Sequence, residues 1–268
     1  MLLNMTPSGN EIQRKMLLNH TSRIRNLFFF SLLLLPMAIF IGQYYSKSSS
    51  TSGPNAEYLK NIAMINVDNG VSGQSQGTAF LVCDNSGAPT GYLFTARHVV
   101  DGTVSKEVHL TFPQILNEND EPLETTASIV WTTAVPFDGA DLQSLRYDVC
   151  LLKLNDISVL PDDVTGFFIG ETMEIKQSIA IYGFPAGEEY ATSGEISSTN
   201  YGNSQDLMLL SFQIDHGLSG APIYSEETGE VLGIAIASET QTDIKNIALK
   251  MKRVVELMDR DGVKNLLK

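Results

Sequence analysis

Cysteine, tryptophan and histidine are scarce in this chain: two Cys, one Trp and four His in 268 residues. Two cysteines exclude a dense disulfide framework. Neither Cys83 nor Cys150 has another Cys or a His at metal-ligand spacing, which argues against zinc. Each lies in an apolar run and reads as a small buried hydrophobe, although in an exported protein the two can also pair. Cationic side chains are few as well, 18 Lys and Arg against 31 Asp and Glu, for a net charge of −13. So acidic a chain repels phosphate backbones, which counts against a nucleic-acid partner. Long helical periodicities are missing until the last stretch. Short β-branched runs and 21 Gly stand in their place, which indicates an all-β body.

What is present divides the chain by charge. Residues 1–45 carry four basic and one acidic side chain, residues 46–243 carry 7 basic and 27 acidic, and residues 244–268 carry 7 basic and 3 acidic. The acidic middle reads first as a solubility device and second as an attraction for basic peptides. Residues 1–26 form a basic tail. Leu27 to Gly42 is then apolar apart from Ser31 and Pro36, with Tyr44 and Tyr45 behind it and a Ser-rich linker over 46–57. A spanning helix needs roughly 17–25 residues, which 27–45 supplies, and paired tyrosines suit a membrane interface. The segment reads as an uncleaved anchor ahead of a cleaved export signal, since Phe40-Ile41-Gly42 is a poor cleavage site. A buried core helix is the weakest reading. Anchor and signal both put the body outside the cytoplasm, periplasmic or extracellular, and secreted if the segment is cleaved.

From Tyr58 the chain alternates short strands with turn chemistry. Gly77–Cys83 and Gly91–Thr95 make a hairpin across Asp84–Pro89. Glu107–Phe112, Thr126–Val135 and Asp148–Leu154 follow, with Asn117–Glu124 as a polar loop. After Leu160-Pro161-Asp162-Asp163 come Ser178–Tyr182, Thr192–Thr199, Asp206–Ile214, Ala221–Tyr224 and Val231–Ala237. A closing helix is predicted over about 243–268, because apolar residues recur at helical spacing from Ile244 to Met258.

Chemistry concentrates in Asp215-His216-Gly217-Leu218-Ser219-Gly220-Ala221-Pro222. A serine hydroxyl is a poor nucleophile without a base and without help for the oxyanion. Gly217 lets the backbone turn so that its own N–H and that of Ser219 face one point, and Gly220 leaves room for a carbonyl to approach. The tetrapeptide alone is a weak signal. A base must come from four histidines. His20 precedes the apolar segment, His109 sits in a strand, and His216 is too close in sequence to Ser219. His98 lies just beyond an apolar strand, where a scaffold can hold it. Asp148 opens the apolar run Val149-Cys150-Leu151-Leu152, and a carboxylate there needs a partner. Asp138 and Asp141 have no apolar strand behind them.

Thr95-Ala96-Arg97-His98, Asp148-Val-Cys-Leu-Leu and Gly217-Leu-Ser-Gly-Ala-Pro222 together resemble the three signature segments of trypsin-like serine peptidases, more narrowly the bacterial types related to HtrA and glutamyl endopeptidases. The order His, Asp, Ser is that of the chymotrypsin-like enzymes. The resemblance covers residues 60–240. It implies two antiparallel six-stranded β-barrels, a first over about 58–158 and a second over about 164–240, with a C-terminal helix outside. It implies His98 as general base, Asp148 as its orienting acid, Ser219 as nucleophile, and the N–H groups of Gly217 and Ser219 as oxyanion hole. Ile236, Ala237 and Ser238 match a strand that pairs with substrate peptide, and Gln213, Ile214 and His216 belong to a wall of the specificity pocket. No metal or cofactor is called for. Leu218 stands where trypsin has the aspartate that captures a new N-terminus, and Ala235 where glutamate-specific relatives have a histidine. A design with a PDZ-like domain behind the peptidase is not expected, since only about 30 residues follow Ala237. The expected activity is peptide-bond hydrolysis through an acyl-enzyme; the alternatives are a catalytically inert, membrane-tethered peptide-binding module and, more weakly, an esterase.

Overall fold

The computed structural model of the protein describes residues 56–70, 73–136, 138, 141, 143–236 and 246–268. The expected tail, the apolar segment 27–45 and most of the linker lie outside these residues. So do Ala237 and Ser238. Among the described residues no helix is long and apolar enough to cross a membrane.

Among the described residues the chain forms twelve strands in two closed barrels. The first barrel takes β1 (Ile62–Asp68), β2 (Gln74–Cys83), β3 (Pro89–Thr95), β4 (Glu107–Leu116), β5 (Pro122–Thr132) and β6 (Cys150–Leu154), closed in the order β1-β2-β3-β6-β5-β4. The second takes β7 (Ser178–Gly183), β8 (Tyr190–Ser198), β9 (Leu207–Leu210), β10 (Pro222–Ser225), β11 (Val231–Ile236) and β12 (Ile247–Lys250), closed as β10-β11-β12-β9-β8-β7. Every ladder between neighbouring strands is antiparallel.

Period-two alternation explains why some strands read as unbroken apolar runs. Along β2, Ala79 and Leu81 point into the first barrel, while Phe80 and Val82 join a second apolar cluster with Phe167, Tyr182, Tyr224 and Leu249. Along β6, Cys150 and Leu152 point inward and Leu151 points outward to that same cluster. Both faces of these stretches are therefore covered, which is why Ala79–Cys83 and Cys150–Leu152 carry apolar side chains at every position. The second barrel has its own interior of Ile179, Ile181, Ile196, Met208, Ile223 and Ala248.

Three expectations need correction. Ile247–Lys250 is strand β12 and not the first turn of the closing helix, whose helical residues are Met251–Arg260 (called α3 below). The spacing of 247, 248 and 251 is compatible with a helix, but β9 and β11 each need a neighbour. β12 supplies it, pairing Ile247 with Leu209 and Ile236, and Leu249 with Leu207 and Ile234. Ladder closure overrides local periodicity. The loop expected over 117–124 is also shorter than predicted, because β4 runs to Leu116 and β5 starts at Pro122. Asn117 closes the tight turn by accepting the N–H groups of Asn119 (2.8 Å) and Glu121 (3.1 Å), an Asx arrangement that frees the flanking residues for the ladder. Ala56 and Glu57, read as linker, open a single-turn helix, α1 (Ala56–Leu59).

Candidate active site

His98 lies in a single helical turn, α2 (Arg97–Val100), directly after β3. Val99 and Val100 are buried and fasten that turn to the first barrel. Asp148 follows a 3-10 turn at Ser144–Tyr147, with only Val149 between it and β6. Ser219 lies in the connection from β9 to β10. Residues 50 and 121 positions apart in sequence thus converge from both barrels.

The three side chains form one hydrogen-bonded line. His98 Nδ1 is 2.7 Å from Asp148 Oδ2, and His98 Nε2 is 2.8 Å from Ser219 Oγ. Asp148 is fully buried, and its Oδ1 accepts the backbone N–H of His98 at 2.9 Å. An ionised carboxylate only accepts, so the proton on Nδ1 is fixed and Nε2 is left to take one from the serine hydroxyl. Ser219 is 5% exposed, and the His98 side chain is 21% exposed.

Arg97 holds the loop behind this line. Its Nη1 donates to the carbonyls of Thr133 (2.7 Å) and Val135, and its Nε to Asp101 (2.8 Å). Thr133 in turn donates its hydroxyl to the carbonyl of Tyr147, the neighbour of Asp148. The competing Asp141 is exposed and caps the N–H of Gln143. Asp138 is exposed and belongs to the same loop.

Two consecutive turns shape the nucleophile segment. Leu218 N–H bonds to Asp215 O (3.0 Å) with Gly217 at φ +95°, and Ala221 N–H bonds to Leu218 O (2.9 Å) with Gly220 at φ +86°. His216 and Ser219 have negative φ, so both turns are of type II, in which the third residue must be glycine-like. A Cβ on Gly217 would sit 2.3 Å from the carbonyl oxygen of Phe184, and one on Gly220 2.2 Å from that of Thr78. Among the described residues, neither the N–H of Gly217 nor that of Ser219 has a hydrogen-bond partner.

The remaining expected residues are only partly brought together. Gln213 and His216 are exposed beside the nucleophile segment. The Ile214 side chain is buried in the interior of the second barrel and that of Ile236 in the inter-barrel cluster; strand pairing with a peptide would use the backbone of 236–238 and not the Ile236 side chain. Ala237 and Ser238 lie outside the described residues. His109 is exposed on β4. Among the described residues no group of three or more His, Cys, Asp or Glu is placed to hold a metal ion. The sequence reading missed Thr78 and Thr95, both fully buried, with the Thr78 hydroxyl donating to Gly217 O and the Thr95 hydroxyl to Thr78 O. A lone hydroxyl within the apolar run Gly77–Cys83 was the available signal, because a buried hydroxyl needs a partner.

Solved structures share this architecture at low identity. A serine endoprotease from Yersinia pestis superposes with a TM-score of 0.57 at 16% identity, covering 82% of this chain and 68% of its own. The active form of the Rv3671c protease from M. tuberculosis gives 0.52 at 18% identity, covering 77% and 83%, and Deg5 gives 0.51 at 16%, covering 75% and 88%. No curated protein sequence matches significantly. The model of the trypsin-like peptidase domain matches residues 77–234, a span that includes His98, Asp148 and Ser219, and the chain belongs to that family.

Proposed function

We propose that the protein is a serine endopeptidase acting through an acyl-enzyme. The observation that carries this reading is the unbroken line from buried Asp148 through His98 to Ser219 Oγ. Ser219 Oγ attacks the peptide carbonyl while His98 Nε2 takes its proton. Asp148 keeps the imidazole in the right tautomer and stabilises the imidazolium without itself becoming protonated. His98 then passes the proton to the leaving amine, and a water deprotonated by the same imidazole hydrolyses the acyl-enzyme. The unpartnered N–H groups of Gly217 and Ser219 supply the charge stabilisation that the tetrahedral intermediate needs. Each such donor is worth about 3–4 kcal/mol. Family membership makes proteins or peptides the substrate class.

The test uses the full chain. It is expected to cleave unstructured casein and to label with a fluorophosphonate, and Ser219→Ala is expected to lose both. Cleavage undiminished in Ser219→Ala rejects the mechanism. A wild type that neither cleaves nor labels supports an inert peptide-binding module of the same fold instead.

The chain's place in the cell is a second part of the proposal. The basic flank of residues 1–26 and the apolar run 27–45 support an exported body tethered by its N-terminal segment. Protease added to intact cells should then digest the body while leaving cytoplasmic proteins whole.

A further inference from the structure

Thr78 is the one hydroxyl in the Gly77–Cys83 run of β2, and it is fully buried. Each of its polar atoms is engaged. Its N–H donates to Ser219 O at 2.8 Å, and its hydroxyl donates to Gly217 O at 2.8 Å while accepting the N–H of Phe184 at 3.3 Å. Its own carbonyl accepts the hydroxyl of Thr95 at 2.8 Å. Three of these four bonds cross from the first barrel to the second, and two of the three end on the nucleophile segment.

The choice of acceptors matters. The carbonyls of Gly217 and Ser219 fix the peptide planes 217–218 and 219–220. Between them lies the peptide 218–219, which carries the Ser219 N–H, and its own carbonyl is held by Ala221 N–H at 2.9 Å. The α-carbon of Gly217 is meanwhile pressed against Phe184 and Pro185, leaving no space even for a Cβ. Phe184 is the residue whose N–H meets the Thr78 hydroxyl. One residue of the first barrel, through its N–H and its hydroxyl, therefore holds the carbonyls of Gly217 and Ser219, the two residues that carry the proposed oxyanion donors, and it lies on the same barrel as His98.

We propose that Thr78 is a positioning residue for the oxyanion turn and that its hydroxyl keeps the Gly217 and Ser219 N–H groups in catalytic register across the barrel interface. The inference rests on the peptidase reading above. A displacement of reacting groups by about 1 Å can cost about a hundredfold in rate, so a hydroxyl that never touches substrate can still govern turnover.

The experiment compares Thr78→Val, which keeps shape and N–H but loses the hydroxyl, with Thr78→Ser, which keeps the hydroxyl. In Thr78→Val, kcat per titrated active site is expected to fall by between about tenfold and a hundredfold with KM little changed. Fluorophosphonate labelling should slow in parallel, and Thr78→Ser should restore most of both. Hydrogen exchange at the Leu218 and Ala221 amides, which close the two turns, should quicken in Thr78→Val and not in Thr78→Ser. If Thr78→Val does not fold, Thr78→Ala takes its place. Wild-type kcat in a folded variant lacking the hydroxyl overturns the proposal, and so does an equal loss in Thr78→Ser. A wild type without turnover overturns the peptidase reading alone. The exchange rates then decide about Thr78: quickening confined to the variant without a hydroxyl supports its hold on the turn, and unchanged exchange overturns it.

Discussion

Asp148 is the residue where burial and charge meet most sharply. It has no exposed surface, and both of its oxygens accept hydrogen bonds from His98. Asp148→Asn keeps the shape but can donate to Nδ1, which favours the wrong tautomer. Turnover should fall by on the order of 10³–10⁴ with the fold intact, as read from casein cleavage and circular dichroism. The cysteines present a different use of burial. Both are buried and unpaired among the described residues. Desolvation pushes the Cys83 thiol from 9.0 up to about 11 and drives that of Cys150 further in the same direction. A raised pKa means that the neutral thiol is the form the fold favours. Its stabilisation is complete below pH 9 and is lost as the pH rises toward 11. The urea midpoint should therefore decline over that window by less in Cys83→Ala than in the wild type.

At the scale of elements, the nucleophile segment is a pair of type II turns held from outside. Gly220→Ala would place a methyl group 2.2 Å from the backbone carbonyl of Thr78 at a φ of +86°. No side-chain rotation relieves a clash with backbone, so a loss of about 2 kcal/mol or more is expected by denaturant titration, together with loss of activity. The glycines, the serine and its two distant partners were legible in the sequence, because each sits at a boundary between apolar strand and turn. Most strands were legible too, since runs covered on both faces are apolar throughout. Strands β1 and β12 were not. The four residues of β12 carry a pattern that a helix shares, and the decisive fact, a gap between β9 and β11, exists only in three dimensions. The burial of the Ile214 and Ile236 side chains was not legible either, because position beside a site says nothing about which way an apolar side chain points when a packed core lies behind it.

Over the whole molecule, the acidic middle segment carries a net charge of −20 between residues 46 and 243. Such a field attracts cationic peptides over a distance set by salt. Raising the ionic strength from about 0.01 to about 0.15 M shortens the screening length from about 30 to about 8 Å. The kcat/KM for a Lys- and Arg-rich peptide should fall across that range, while that for a neutral peptide of equal length should stay level. Equal responses of the two peptides would assign the acidity to solubility alone.

The late position of β12 also dictates an order of events while the chain is being made. The first barrel is complete once Leu154 has emerged, and by then His98 and Asp148 are both in place. The second barrel stays open until Ile247–Lys250 arrives between β9 and β11. A nascent chain that folds from its N-terminus therefore assembles base and acid early and seats Ser219 last. On the proposed peptidase reading, strand closure would then act as a timer that joins Ser219 to His98 and Asp148 only when the second barrel is complete.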